Sequence, residues 1–107
     1  MKETNDIISY RVATAIVEQL VHSGVTALVA SPGYRNSPLL LAAHRHAELQ
    51  VHSAVEERGA GFLALGLAKA GTSAALLCTS GTAVANYFPA VMEASHSHVP
   101  LLVITAD

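Results

Sequence analysis

The chain has 107 residues, 51% of them hydrophobic and 13% charged, with a net charge of −2 and a pI near 6.3. That length holds one small domain, the weak negative charge gives no footprint for nucleic acid or an anionic membrane, and the single Cys78 excludes an internal disulfide and a cysteine-based zinc cluster. The longest apolar runs, Val25–Ala30 and Leu39–Ala43, fall far short of the ~20 residues of a membrane span, and MKETNDIISY has no signal-peptide core, so the cytoplasm is the expected compartment.

Asn5 or Asp6 is expected to cap a first helix carried by Ile8, Val12, Ala15, Ile16 and Leu20 and stopped at Gly24. Val25–Ala30 is a short apolar run rich in β-branched residues, the pattern of a strand buried on both faces. Ser31-Pro32-Gly33-Tyr34-Arg35-Asn36 is a loop, and Ser37 before Pro38 reads as an N-cap with proline at the first helical position, opening a helix to about Ala47. Gln50–Val55 is a second strand. It turns through Glu56 and Glu57 into an Ala/Gly/Leu-rich helix that ends at Gly71. Phe62, Leu63, Leu65 and Leu67 nearly surround that helix with apolar groups, so it is expected to be buried. Ala74–Thr79 is the third strand, Ser80-Gly81-Thr82 opens a helix to roughly Ser95, and Leu101–Ala106 is the last strand.

Regular alternation of helix and strand predicts an α/β fold, a doubly wound parallel sheet with helices on both faces. In such sheets ligands bind beyond the carboxyl ends of the strands. Those ends carry Ser31–Asn36, Glu56-Glu57, Thr79–Thr82 and Asp107, so every unusual polar or glycine-bearing segment falls on one edge. Asp107 follows a strand directly, where a loop and a helix are expected, so the chain reads as part of a longer protein.

A carboxylate leading into an apolar helix has surroundings that favour a shared or retained proton, although acidic residues also suit the first turn of any helix. Thr79-Ser80-Gly81-Thr82 combines hydroxyls, a glycine and a helix N-terminus, which suits an anion or heterocycle, or plain capping. It matches neither a P-loop nor Gly-x-Gly-x-x-Gly. Arg35 has the fork geometry to clamp a carboxylate. His44/His46 and His96/His98 are spaced by two, which puts each pair on different faces of a helix, so no metal site is expected. Cys78, between leucines and a strand end, reads as packing.

The runs SPGYRNSPLLLAA, VEERGAGFLALGLAKA, CTSGTAVANYFPAVMEA and VPLLVITAD resemble, in order and spacing, the N-terminal pyrimidine-binding domain of thiamine-diphosphate enzymes. The likeness is nearest to the 2-succinyl-5-enolpyruvyl-6-hydroxy-3-cyclohexene-1-carboxylate synthases of menaquinone biosynthesis, and covers nearly everything from Val29 onward. It implies that Glu57 hydrogen-bonds N1′ of the aminopyrimidine and, by sharing a proton there, favours the 4′-imino form that removes the thiazolium C2 proton. It implies further that Pro32, Gly33, Thr79, Thr82 and Asn86 line the cofactor side, and that Tyr34 and Arg35 face substrate. Tyr34 departs from the serine usual at that place, which implies a re-shaped acceptor pocket.

Such synthases decarboxylate 2-oxoglutarate and add the succinyl unit to isochorismate. The resemblance implies a homo-oligomer, dimer or tetramer, in which a C-terminal domain outside these 107 residues holds the diphosphate and Mg²⁺. Residues 1–107 would then form a partial pyrimidine-binding domain, inactive alone. Two rival readings remain, the first within the resemblance and the second outside it. One is a different thiamine-diphosphate carboligase or decarboxylase of the acetolactate-synthase type. The other is a non-enzymatic flavodoxin- or receiver-like module, against which the Ala30-Ser31 end of the first strand argues.

Overall fold

The computed structural model of the chain describes residues 2–107, with side chains from Asp6 onward. The elements in order are α1 (Lys2–His22), β1 (Ala27–Ala30), α2 (Ser37–Arg45), β2 (Gln50–Ser53), α3 (Glu57–Lys69), β3 (Ala74–Cys78), α4 (Thr82–Ala85), α5 (Phe88–His96) and β4 (Leu102–Thr105). The four strands form one parallel sheet in the order β2-β1-β3-β4. The two central strands, β1 and β3, are buried at every position, because each has a covered face on both sides. Edge strands β2 and β4 are only partly covered.

Alternation along the central strands sorts the core into two layers. Leu28, Ala30, Ala75 and Leu77 point to one face, where α1 and α2 cover them with Ala13, Val17, Leu20, Ala42 and Ala43. Val29, Leu76 and Cys78 point to the other, against Ala60 and Ala64 of α3, Ala83 of α4 and Tyr87. Fully burying a leucine of this kind contributes about 1.5–3 kcal/mol relative to leaving it exposed. The fold is therefore the doubly wound α/β sheet that the alternation predicted.

Several local expectations are corrected. Helix α1 begins at Lys2, so Asn5 and Asp6 lie within it and do not cap it. Its buried stripe is Ala13, Val17 and Leu20, whereas Ile8, Val12 and Ile16 are exposed. Two apolar stripes were available, and the smaller one lets α1 settle closely on the sheet. The N-cap position of α2 is Asn36, not Ser37, and the helix ends at Arg45 rather than near Ala47.

Helix α3 is not buried all round. Ala60, Gly61, Ala64 and Leu65 face the core, while Phe62 and Leu63 are about half exposed at 45% and 44%. The helix expected from Thr82 to Ser95 is broken into α4 and α5. Pro89 explains the break: in a continuous helix its ring would strike the carbonyl four residues back, whereas in the first turn of a new helix it is tolerated. Gly24 closes α1 with φ 97°, as expected of a left-handed C-cap.

Candidate functional site

In the order β2-β1-β3-β4 the chain reverses direction of winding between β1 and β3, and that switch point is where doubly wound sheets open a crevice. The loops after β1 and β3 meet there. A methyl added at Gly33 would lie 2.5 Å from Thr79 Cγ2, so only glycine allows the two loops this approach. After β3, Gly81 takes φ 71° immediately before the exposed Thr82, the first residue of α4. Asn86 is exposed and caps the end of that helix, its Nδ2 donating to the Thr82 carbonyl at 2.8 Å.

The β1–α2 loop is held by Asn36, a fully buried polar side chain. Its Oδ1 accepts from the Gly33 N–H at 3.1 Å and its Nδ2 donates to the Ser31 carbonyl at 2.9 Å. Ser31 in turn donates its hydroxyl to the Ala54 carbonyl at 2.6 Å, tying this loop to the end of β2. Leaving a buried donor or acceptor unpaired costs about 1–3 kcal/mol. Asn36→Ala is accordingly expected to lose about 2 kcal/mol in urea unfolding, with Asn36→Asp intermediate because it keeps the acceptor alone. An unmoved midpoint for Asn36→Ala would mean that the loop holds its shape without the clamp. Sequence reading placed Asn36 in the loop without a role; an asparagine beside Pro-Gly, whose side chain can bond nearby backbone, was the available signal.

The adjacent carboxylates after β2 have different tasks. Glu56 is the N-cap of α3, accepting from the Arg58 and Gly59 N–H groups at 3.1 and 2.6 Å. Glu57, the first residue of the helix, is half-buried, and its carboxylate accepts no hydrogen bond from a described residue. Satisfying the helix end with one carboxylate leaves the other free for a ligand.

Arg35 reaches past the end of β3 to Asp107, which also lies 3.4 Å from the Ser80 hydroxyl. This pair is exposed, so it contributes little to stability, but it brings the loops after β1, β3 and β4 together. Tyr34, Arg35, Ser37, Pro38 and Asp107 line an open cleft of ≈ 420 Å³ with Asp6 and Ser9 of α1. Tyr34 is 88% exposed at its rim. Pro32 is exposed and Gly33 half-buried on the same edge.

Among the described residues no group of three His, Cys, Asp or Glu could hold a metal ion. His46 is structural, its Nδ1 accepting from the Glu48 N–H at 3.1 Å and its Nε2 lying 3.5 Å from Glu18. Cys78 is buried, and burial pushes its thiol up, an effect that the Tyr87 hydroxyl partly offsets. The chain also contains no described helix long and apolar enough to cross a membrane.

Residues 10–107 match the family described as thiamine pyrophosphate enzyme, N-terminal TPP binding domain. The chain is 55% identical over 94 residues, 87% of its length, to the 2-succinyl-5-enolpyruvyl-6-hydroxy-3-cyclohexene-1-carboxylate synthase of Listeria innocua. It is 55% identical over 89% of its length to the synthase of that name from Halorubrum lacusprofundi, and 50% identical over 97% to that of Bacillus velezensis. It spans 16%, 16% and 18% of those three relatives, respectively. The chain belongs to the thiamine pyrophosphate enzymes, as their N-terminal TPP-binding domain.

Proposed function

We propose that the chain is the pyrimidine-binding part of a 2-succinyl-5-enolpyruvyl-6-hydroxy-3-cyclohexene-1-carboxylate synthase. The full-length enzyme would decarboxylate 2-oxoglutarate and transfer the succinyl unit to isochorismate in the cytoplasm, as a homo-oligomeric transferase. The observation that carries this reading is the division of labour between Glu56, spent on the helix cap, and Glu57, left half-buried with its carboxylate unpartnered at the start of α3, beyond the carboxyl end of β2. An aminopyrimidine needs a carboxylate at one ring nitrogen and close backbone beside its face. Glu57 and the Gly33–Thr79 approach fit both needs.

When bound, thiamine diphosphate supplies the carbon that carries the acyl unit between substrates. Glu57 would hold a shared proton at N1′, with Gly33 and Thr79 packing the ring and Pro32, Thr82 and Asn86 bordering it. The diphosphate and its Mg²⁺ need an oxygen-rich cage, which we place in a C-terminal domain beyond these residues. Half-exposed Phe62 and Leu63 on α3, with Phe88 and Met92 on α5, suit coverage by a second copy.

Arg35 is assigned to a substrate carboxylate, with Tyr34 at the acceptor rim. A charge-assisted pair contributes about 1.5–3 kcal/mol net. In the full-length enzyme, Arg35→Ala is therefore expected to raise KM for substrate roughly tenfold or more and leave thiamine diphosphate affinity nearly unchanged. The assay is release of CO₂ from 2-oxoglutarate that depends on both isochorismate and thiamine diphosphate. Turnover of pyruvate in place of 2-oxoglutarate would move the chain to the acetolactate-synthase type. Loss of cofactor binding in Arg35→Ala would move Arg35 out of the substrate site.

A further inference from the structure

Arg35 and Asp107 stand 72 positions apart in the chain, yet their side chains meet directly, Arg35 Nη1 donating to Asp107 Oδ1 at 2.5 Å. The two side chains are 62% and 72% exposed, so the pair adds little to the fold. Its effect falls on the conformation of a long, rotatable arm instead.

The backbone under both partners is fixed. Beside Arg35, the Tyr34 carbonyl accepts from the Ser37 hydroxyl at 2.8 Å, and Asn36 is the buried clamp of the loop. Beside Asp107, the Ala106 N–H donates to the Cys78 carbonyl at 3.0 Å, which carries the β3–β4 ladder up to the residue before it. The clamp and the sheet thus bring guanidinium and carboxylate within reach, and leave only side-chain rotation to be settled.

A guanidinium presents five N–H donors in a flat fork. Asp107 engages one nitrogen, Nη1, and is the one ion-pair or hydrogen-bond partner of that fork among the described residues. The same Arg35 lines the open cleft with Tyr34, Ser37 and Asp107. A carboxylate that took the whole fork would sit bidentate across two nitrogens. A grip on one nitrogen orients the fork and leaves donors for a second carboxylate.

We propose that Asp107 is a positioning residue for Arg35: it holds the guanidinium by one nitrogen so that the remaining N–H donors meet a substrate carboxylate already ordered. The proposal rests on the assignment of Arg35 to that carboxylate. Immobilising a rotamer-rich side chain weakens binding, and an arm ordered beforehand in the free protein avoids that loss.

In the full-length enzyme, Asp107→Ala should raise about fivefold the same KM that Arg35→Ala raises, within what ordering one such side chain accounts for. Values of kcat and the affinity for thiamine diphosphate should not move. Asp107→Asn, which keeps an acceptor oxygen, should fall between. On an Arg35→Ala background Asp107→Ala should add nothing further, whereas independent residues would multiply. NMR of the guanidinium nitrogens reads the contact separately: a fork gripped at one end rotates slowly and gives resolved Nη signals, which Asp107→Ala should collapse. A lower KM in Asp107→Ala would show Asp107 competing with substrate for the fork, and would overturn the proposal. A KM unmoved by Asp107→Ala but raised by Arg35→Ala would overturn it too, while keeping Arg35 in the substrate site. If neither substitution moves KM, the assignment of Arg35 falls and the proposal with it.

Discussion

Glu57→Gln in the full-length enzyme is expected to lower turnover by ~10²–10⁴-fold, the usual contribution of a positioned general acid–base group. Glutamine keeps the shape and can still meet a ring nitrogen, but it cannot share an ionisable proton with it. Folding should survive, because the Glu57 side chain makes no hydrogen bond among the described residues and the helix end is already satisfied by Glu56. The adjacent residue is the internal control with the opposite signature. Glu56→Gln should cost roughly 0.5–2 kcal/mol of stability, as a weakened N-cap does, with only a mild change in rate. Circular dichroism and steady-state kinetics on the two variants separate the roles. Rates for Glu57→Gln within about threefold of the parent, far below the general acid–base range, would remove Glu57 from the chemistry.

The architecture was legible because the sheet is parallel and doubly wound. Strand-like runs such as Ala74–Cys78 alternate with helical stretches along the chain, and that pattern admits few topologies. The site edge was legible for the same reason, since strand order puts the Gly33 loop beside the Thr79 loop. What periodicity could not reveal is which of two apolar faces a helix turns inward. On α1 the smaller stripe, Ala13 and Val17, won over Ile8 and Val12, and packing against β1, β3 and α2 decides that rather than periodicity. Nor did spacing assign tasks to neighbours of equal chemistry. Glu56 and Glu57 look alike in sequence and differ through helix register, one residue deciding which of them reaches the free N–H groups. Tyr87 lies in the stretch expected as one continuous helix, and its burial beside the break between α4 and α5 is a tertiary outcome that spacing does not reveal.

The 107-residue chain by itself is expected to bind thiamine diphosphate no more tightly than about millimolar, a scale of ~4 kcal/mol, and to show no turnover. Most of that cofactor's charge lies on its diphosphate, and Mg²⁺ favours an oxygen cage shared with phosphate. Among the described residues no cluster offers such a cage. Contacts are then confined to the neutral pyrimidine end, against the full loss of translational and rotational freedom. The apolar surface left by α3, α4 and α5, with Phe62, Leu63, Val84, Phe88 and Val91 all exposed, should instead draw two copies together. Titration calorimetry with Mg²⁺ and cofactor, beside light scattering on the free chain, measures both effects. Removing two of the aromatic contacts, as in Phe62→Ser with Phe88→Ser, should return the chain to a monomer without improving its affinity for cofactor. Micromolar binding by a clean monomer would mean that these residues hold a complete site, and the assignment of the diphosphate end to a second domain would fall.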